Sequence, residues 1–421
     1  MKAGLNNLFK DDLLRHTVIL FSGMMVVHIS NLAFQMLVSR KLPEIEYALL
    51  TAFLALIGII SYPLLTLTTG VSHYASIMRQ QERTGDIKRL LQKWLGLTGA
   101  VSGLLCLLTI TFNGPVSAFL HFDRAAPVII AGAVLPALFW FHVLMGAAQG
   151  MQLFGWNSLA GILGALFKLI IGAGLVWFWY PACGWAMVGH SGGIYVSAAI
   201  ILFGLAFQLR GDRSTTEALP SLRGYLGRGL FVQIAFAVLM NADVILVKHF
   251  LPDDTEFPYA ATLGRIVAFM PMAIAFAMFP KVSAHGAYND EHRRIFLRSF
   301  GYTALCVAGA ALACLIMPGF ILRILFGITD ATPTMLELTR LMTLAMSACA
   351  LLNTTVQFLL AQRRFAPLII TILCCPLYII AVRLFHAESA HIAIAAIAFN
   401  TLALVSSLLA AARKPHSPQA L

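Results

Sequence analysis

Lys168 interrupts a long apolar stretch in which no other charged side chain occurs. Asp243, Lys248, Arg265, Glu337, Arg340 and Arg383 interrupt other such stretches. Amines and guanidiniums make strong, charge-assisted hydrogen bonds to anions. At bilayer depth a charged side chain costs about 2.5–3.5 kcal/mol even on lenient scales, so it faces a wet cavity or pairs internally. Both readings stand for Lys168, Arg265 and Asp243. Lys248 and Arg383 lie near the ends of their stretches, where a long stem can carry the charge to the headgroups. Glu337 and Arg340, three apart on one helix, can partly neutralise each other. Set against these five cations, the two carboxylates Asp243 and Glu337 leave an interior suited to an anion. Asp243 is the candidate for coupling to an ion.

Uncharged polar residues add two stripes. His28, Asn31 and Gln35 follow a three-and-four spacing that puts them on one helical face. Gln233, Asn241 and Lys248 project within about 80° of one another at 100° per residue. Two such faces are expected as walls of a hydrophilic cavity, against the plainer alternative of helix–helix hydrogen bonds worth about 0.6 kcal/mol each. The candidate substrate-binding set is therefore Lys168, Arg265, Asn31, Gln35, Asn241, Gln233 and Arg340.

Other chemistries lack their residues. No lysine follows a glycine, so the phosphate loop of an ATP-driven pump is missing, and there is no HExxH or paired-cysteine metal motif. The 12 histidines are scattered, and the 7 cysteines lie almost wholly in apolar stretches, as small packing residues. Neither a metal nor another cofactor is expected. The loops on one side are too short for a catalytic domain, so an enzyme is not expected either. Gly172-Ala-Gly174 is a place where two helices can approach closely.

The elements that must position these residues are membrane helices. The chain has 421 residues, 59% hydrophobic and only 11% charged, against about 25% charged in soluble domains. A bilayer core of about 30 Å needs about 20 apolar residues per helix. Twelve stretches qualify: 16–38, 46–69, 94–112, 128–149, 157–179, 184–208, 229–250, 259–280, 299–318, 334–361, 366–385 and 390–412. The fold class is all-α integral membrane. Of the 29 Lys and Arg, twenty fall in loops on one side and only four (Arg40, Lys41, Arg124, Arg323) on the other. Cytoplasmic loops carry that excess, so both termini are expected in the cytoplasm. The net charge of +11 then serves anionic lipid, at about 1 kcal/mol per loop cation, rather than nucleic acid.

Six stretches lie on each side of an Arg-rich loop, Arg210 to Arg228, which divides the chain into residues 1–208 and 209–421. An even number per half makes any repeat parallel. Leu37-Val-Ser-Arg-Lys-Leu-Pro43 with Tyr47-Ala48 matches Val247-Lys-His-Phe-Leu-Pro252 with Tyr259-Ala260, at an offset of about 210 residues. Val71-Ser72 and Val282-Ser283 share nearly that offset. Two parallel six-helix bundles around a central cavity are expected.

From about residue 15 to 412 the chain resembles the polysaccharide-biosynthesis flippases of the multidrug/oligosaccharidyl-lipid/polysaccharide exporter superfamily. The likeness is carried by Leu37 through Ala48, by the short loop Gly150-Met-Gln-Leu-Phe-Gly155, and by Asp243 through Leu251 with Tyr259-Ala260 and Arg265-Ile266. The resemblance implies a bacterial cytoplasmic-membrane protein that moves an undecaprenyl-diphosphate-linked sugar or oligosaccharide to the outer leaflet by alternating access. It also implies a polysaccharide polymerase and other assembly proteins as partners. Related lipid II flippases carry an essential arginine in the eighth helix, close to the place of Arg265. In that setting Lys168 and Arg265 would hold the diphosphate, and asparagines and glutamines the sugar hydroxyls. Three readings compete: a cation-coupled drug exporter of the same superfamily, a membrane glycan polymerase or ligase, and a non-transporting scaffold.

Overall fold

The computed structural model describes residues 12–122, 124–209, 223–272, 274, 275, 278, 282, 290–362 and 364–413. Most of the Arg210 to Arg228 loop, Ser283 and part of the eighth predicted stretch lie outside the described residues. Among the described residues there is no strand.

The first half contains α1 (Asp12–Ser39), α2 (Glu44–Gln80), α3 (Thr84–Thr111), α4 (Asn113–Phe119), α5 (Ala126–Gly150), α6 (Phe154–Phe178) and α7 (Cys183–Gln208). The second contains α8 (Arg223–Phe250), α9 (Phe257–Phe269), α10 (Asp290–Ile316), α11 (Pro318–Phe326), α12 (Pro333–Ala361), α13 (Ile369–Leu384) and α14 (Ser389–Ala412). The two series follow one plan, with a short helix in fourth place each time, and their starts are displaced by about 210 residues. Tyr47 and Tyr259, which mark the repeat in the sequence, are both buried at the start of the second helix of their half.

Eleven helices are long and apolar enough to cross a membrane among the described residues. The eighth expected stretch, 259–280, is described only in part. Its helix α9 runs to Phe269; a turn follows at Met270 and Pro271, where proline denies the helix an N–H, and Met272, Ile274, Ala275 and Met278 are helical again.

Several helices outrun the apolar stretches that announced them. α2 has 37 residues, about 55 Å at 1.5 Å per residue, and α3 and α10 begin well before their apolar cores. Hydropathy marks where hydrocarbon ends, not where hydrogen bonding does. The basic loop expected after residue 69 is accordingly a tight turn, with Glu82 at φ 56°. Asp86, fully buried, fastens it: Arg83 Nη2 lies 2.8 Å and Arg89 Nη1 3.4 Å from its carboxylate.

The chain forms two compact units. Unit 1 is Met1–Phe53 with Leu64–Gly227, and unit 2 is Leu54–Pro63 with Arg228–Leu421. Within unit 1, α6 packs against α1 and α7, and α5 against α3 and α7. Glycine makes the α6–α7 crossing close: a Cβ at Gly172 would meet Gly189 Cα at 3.2 Å, and one at Gly193 would meet Gly164 O at 2.5 Å. Gly174, by contrast, has open space beside it. Within unit 2, α12 packs against α9, α10 and α14. A buried Asn400 Nδ2 on α14 donates to Ala345 O of α12 at 3.2 Å.

Candidate functional site

In unit 1 the sequence places a lysine near the middle of a long apolar helix, and the helix departs from regular α geometry at that residue. Lys168 opens a six-residue π-helical segment, Lys168–Ala173, within α6. Such wide turns are rare and concentrate at functional sites. Lys168 is 9% exposed. Its Nζ donates to Asn31 Oδ1 on α1 at 3.0 Å and sits 4.4 Å from the centroid of the Phe34 ring, a cation–π contact. Among the described residues no carboxylate lies within ion-pair distance of it. An ammonium has three donors, and one protein oxygen with one ring face does not use them all. One turn beyond Asn31, Gln35 has a buried Oε1 without a hydrogen-bond partner. His28, third of that stripe, is exposed.

Unit 2 treats its cation differently. Arg265 Nη2 on α9 pairs with Asp243 Oδ1 on α8, and also donates to Met240 O at 3.3 Å. The Asp243 side chain is 0% exposed and that of Arg265 12%. The pair sits in a larger polar cluster. Tyr62 Oη donates to Met240 Sδ at 3.0 Å, and its ring meets Phe236 edge-on at 5.3 Å. Asp243 Oδ2, Arg265 Nε and Tyr378 Oη are buried without hydrogen-bond partners. Asn241 is also buried; its Nδ2 donates to Ala237 O at 3.0 Å, and Gly58 leaves the room its amide occupies.

The sequence-selected residues therefore fall into two clusters and a remainder. Lys168, Asn31 and Gln35 lie together in unit 1. Arg265 and Asp243 are joined in unit 2, the internal ion pair that was one of the two readings. Gln233 is buried on α8, with its Oε1 unpartnered. Lys248 is buried rather than reaching out, and its Nζ donates to Pro252 O at 2.8 Å. Arg340 is exposed, as are Glu337 and Arg383, and its Nε donates to Leu315 O at 3.2 Å rather than to Glu337. These three occupy faces turned away from their own unit's core, so the described interior holds fewer charges than a count along the sequence suggests.

Spacing alone could not select Phe34, Tyr62 or Tyr378, which read as ordinary core aromatics. A signal did exist for His190: Gly189-His-Ser-Gly-Gly193 is a glycine-flanked imidazole inside an apolar stretch.

No family model matches the chain, and no curated protein matches it by sequence. Solved structures match it in fold. An inward-facing multidrug-resistance MATE transporter of the MOP superfamily is similar with a TM-score of 0.69 at 14% identity, covering 94% of this chain and 97% of that one. The lipid II flippase MurJ in an inward closed conformation gives a TM-score of 0.71 at 12% identity, with 94% and 88% covered. A MOP-superfamily transporter from Pyrococcus furiosus, described as having a binding pocket of reversed polarity, gives 0.65 at 14%, with 94% of each chain covered. The chain thus has the fold of these transporters over nearly its whole length.

Proposed function

We propose that this protein is a flippase for a polyprenyl-diphosphate-linked sugar or oligosaccharide, moving the headgroup across the bilayer by alternating access. Lys168 carries this reading. It is a buried amine whose described partners are an amide and an aromatic ring, so unit 1 holds a group that an anionic headgroup would keep in its charged form. A diphosphate and its hydroxyls cannot cross hydrocarbon bare, since each unsatisfied polar group costs several kcal/mol there. Lys168 would meet a phosphate oxygen, and Asn31 and Gln35 the neighbouring hydroxyls. The fold shared with the lipid II flippase MurJ supports the class of cargo.

A cation-coupled exporter is the second reading, favoured by the buried carboxylate of Asp243 and the fold shared with MATE transporters. Against it, Arg265 already supplies Asp243 with a positive partner. The readings separate in cells. Depletion of a flippase leaves prenyl-linked glycan trapped on the inner leaflet, and the cells remain as resistant to organic cations as before. Sensitivity to organic cations, with glycan still reaching the outer leaflet, would select the exporter and overturn our reading.

A further inference from the structure

At the end of unit 2 that the loop charges predict to lie outside the cytoplasm, an open cavity of about 600 Å³ is bounded by the turn after α8 and the first turns of α12 and α14. That is the size of a small-molecule site. Four carboxylates line it: Asp253 and Asp254 on the turn, Glu337 on α12 and Glu388 just ahead of α14. The chain as a whole carries a net charge of +11, so this concentration of negative charge stands apart.

The fold does not use these groups up. None of the four is in an ion pair among the described residues. Arg340, three residues beyond Glu337, turns to Leu315 O instead. Helix capping does not account for them either. Thr332 already caps α12, accepting from Met335 N at 3.0 Å, and Glu388 makes no side-chain cap hydrogen bond at α14. Asp254 does have a structural task, its Oδ1 accepting from the amides of Glu256 and Phe257 at 3.0 and 2.8 Å. Lys248 brings one positive charge close by, its Nζ donating to Pro252 O at 2.8 Å, and Pro252 lines the cavity. Ser389 is a separate sign of a ligand. It is only 7% exposed, yet it lines the same cavity, and its hydroxyl makes no hydrogen bond among the described residues. Buried hydroxyls seldom go unmatched.

The spacing selects the kind of cation. No three His, Cys, Asp or Glu side chains among the described residues come together to hold a metal ion, so the negative charge is spread around the cavity. Phe250, Leu251 and Leu338 share its wall, and the Phe250 ring is stacked on His386 with centroids 4.2 Å apart. Separated carboxylates on a partly apolar wall suit amines joined by methylene stems. The ammoniums form charge-assisted hydrogen bonds, and the stems lie along the apolar side chains.

We propose that this cavity binds a linear organic polyamine, with carboxylates around it and Ser389 Oγ accepting from one of its ammonium groups. The site lies within unit 2 and does not depend on the flippase reading; the polyamine is bound there, not carried.

Calorimetric titration of the full chain with spermidine tests this, in phosphatidylcholine nanodiscs free of anionic lipid. The parent should bind saturably. Binding should be about tenfold weaker with Glu337→Gln and Glu388→Gln together, and about threefold weaker with Ser389→Ala. Exchanging NaCl for MgCl₂ at equal ionic strength should leave it unchanged. Both glutamates are exposed, so their amides leave the fold intact, which an unaltered unfolding midpoint checks. No saturable binding by the parent, equal binding by either variant, or displacement by Mg²⁺ would each overturn the proposal and leave the flippase reading as it stands.

Discussion

Replacing Arg265 with alanine should damage the fold before it damages any transport step. Asp243 is fully buried, its Oδ2 already has no hydrogen-bond partner, and Arg265 is its ion-pair partner. Removing one member of a buried pair strands the other charge and costs about 3–5 kcal/mol, whereas replacing both with neutral groups of similar shape is often close to neutral. Four variants follow from this: Arg265→Ala, Arg265→Gln, Asp243→Asn, and Asp243→Asn with Arg265→Gln. Each single variant should unfold earlier in denaturant by an amount in that range, and the double variant should recover most of the loss. The double-mutant coupling energy, read from equilibrium unfolding in detergent micelles, should be about 5 kcal/mol or more. Single variants as stable as the parent, or a double variant no better than its singles, would refute the static clamp and return Arg265 to the pool of groups free to meet cargo.

Other expectations follow from the same geometry. Lys168→Ala should keep normal abundance in the membrane, measured by quantitative blotting, because Asn31 and Phe34 are left without a stranded charge; flipping should be lost. Gly189→Ala places a methyl into Gly172 at the α6–α7 crossing and should destabilise by about 1–3 kcal/mol, seen as a lower unfolding midpoint in detergent. Asp86→Asn weakens the hold of Arg83 and Arg89 on the α2–α3 turn; limited proteolysis of membranes should then cut near Gln81 sooner than in the parent.

Helices are written plainly in this chain, because apolar stretches of bilayer length have no other stable form. Their ends are not: α2 continues to Gln80 and α3 starts at Thr84, since polar residues in water can stay helical without any change of period. The short α4 and α11 escape notice because seven and nine residues are too few for a hydropathy window. At the site, the buried charges were visible but not their partners. Lys168 meets Asn31 across 137 positions and Arg265 meets Asp243 across 22, and no spacing rule joins residues on different helices. The exposure of Arg340 was not legible either. Depth along a helix can be counted from the sequence, whereas the direction of a face depends on the neighbours it packs against.

Purified protein in liposomes, loaded with fluorescent undecaprenyl-diphosphate-linked oligosaccharide and probed with a membrane-impermeant quencher, measures headgroup movement directly. The account predicts transfer between leaflets with the parent chain and none above the protein-free background with Lys168→Ala. Transfer by Lys168→Ala at the parent rate, or no transfer by a well-folded parent, would contradict it.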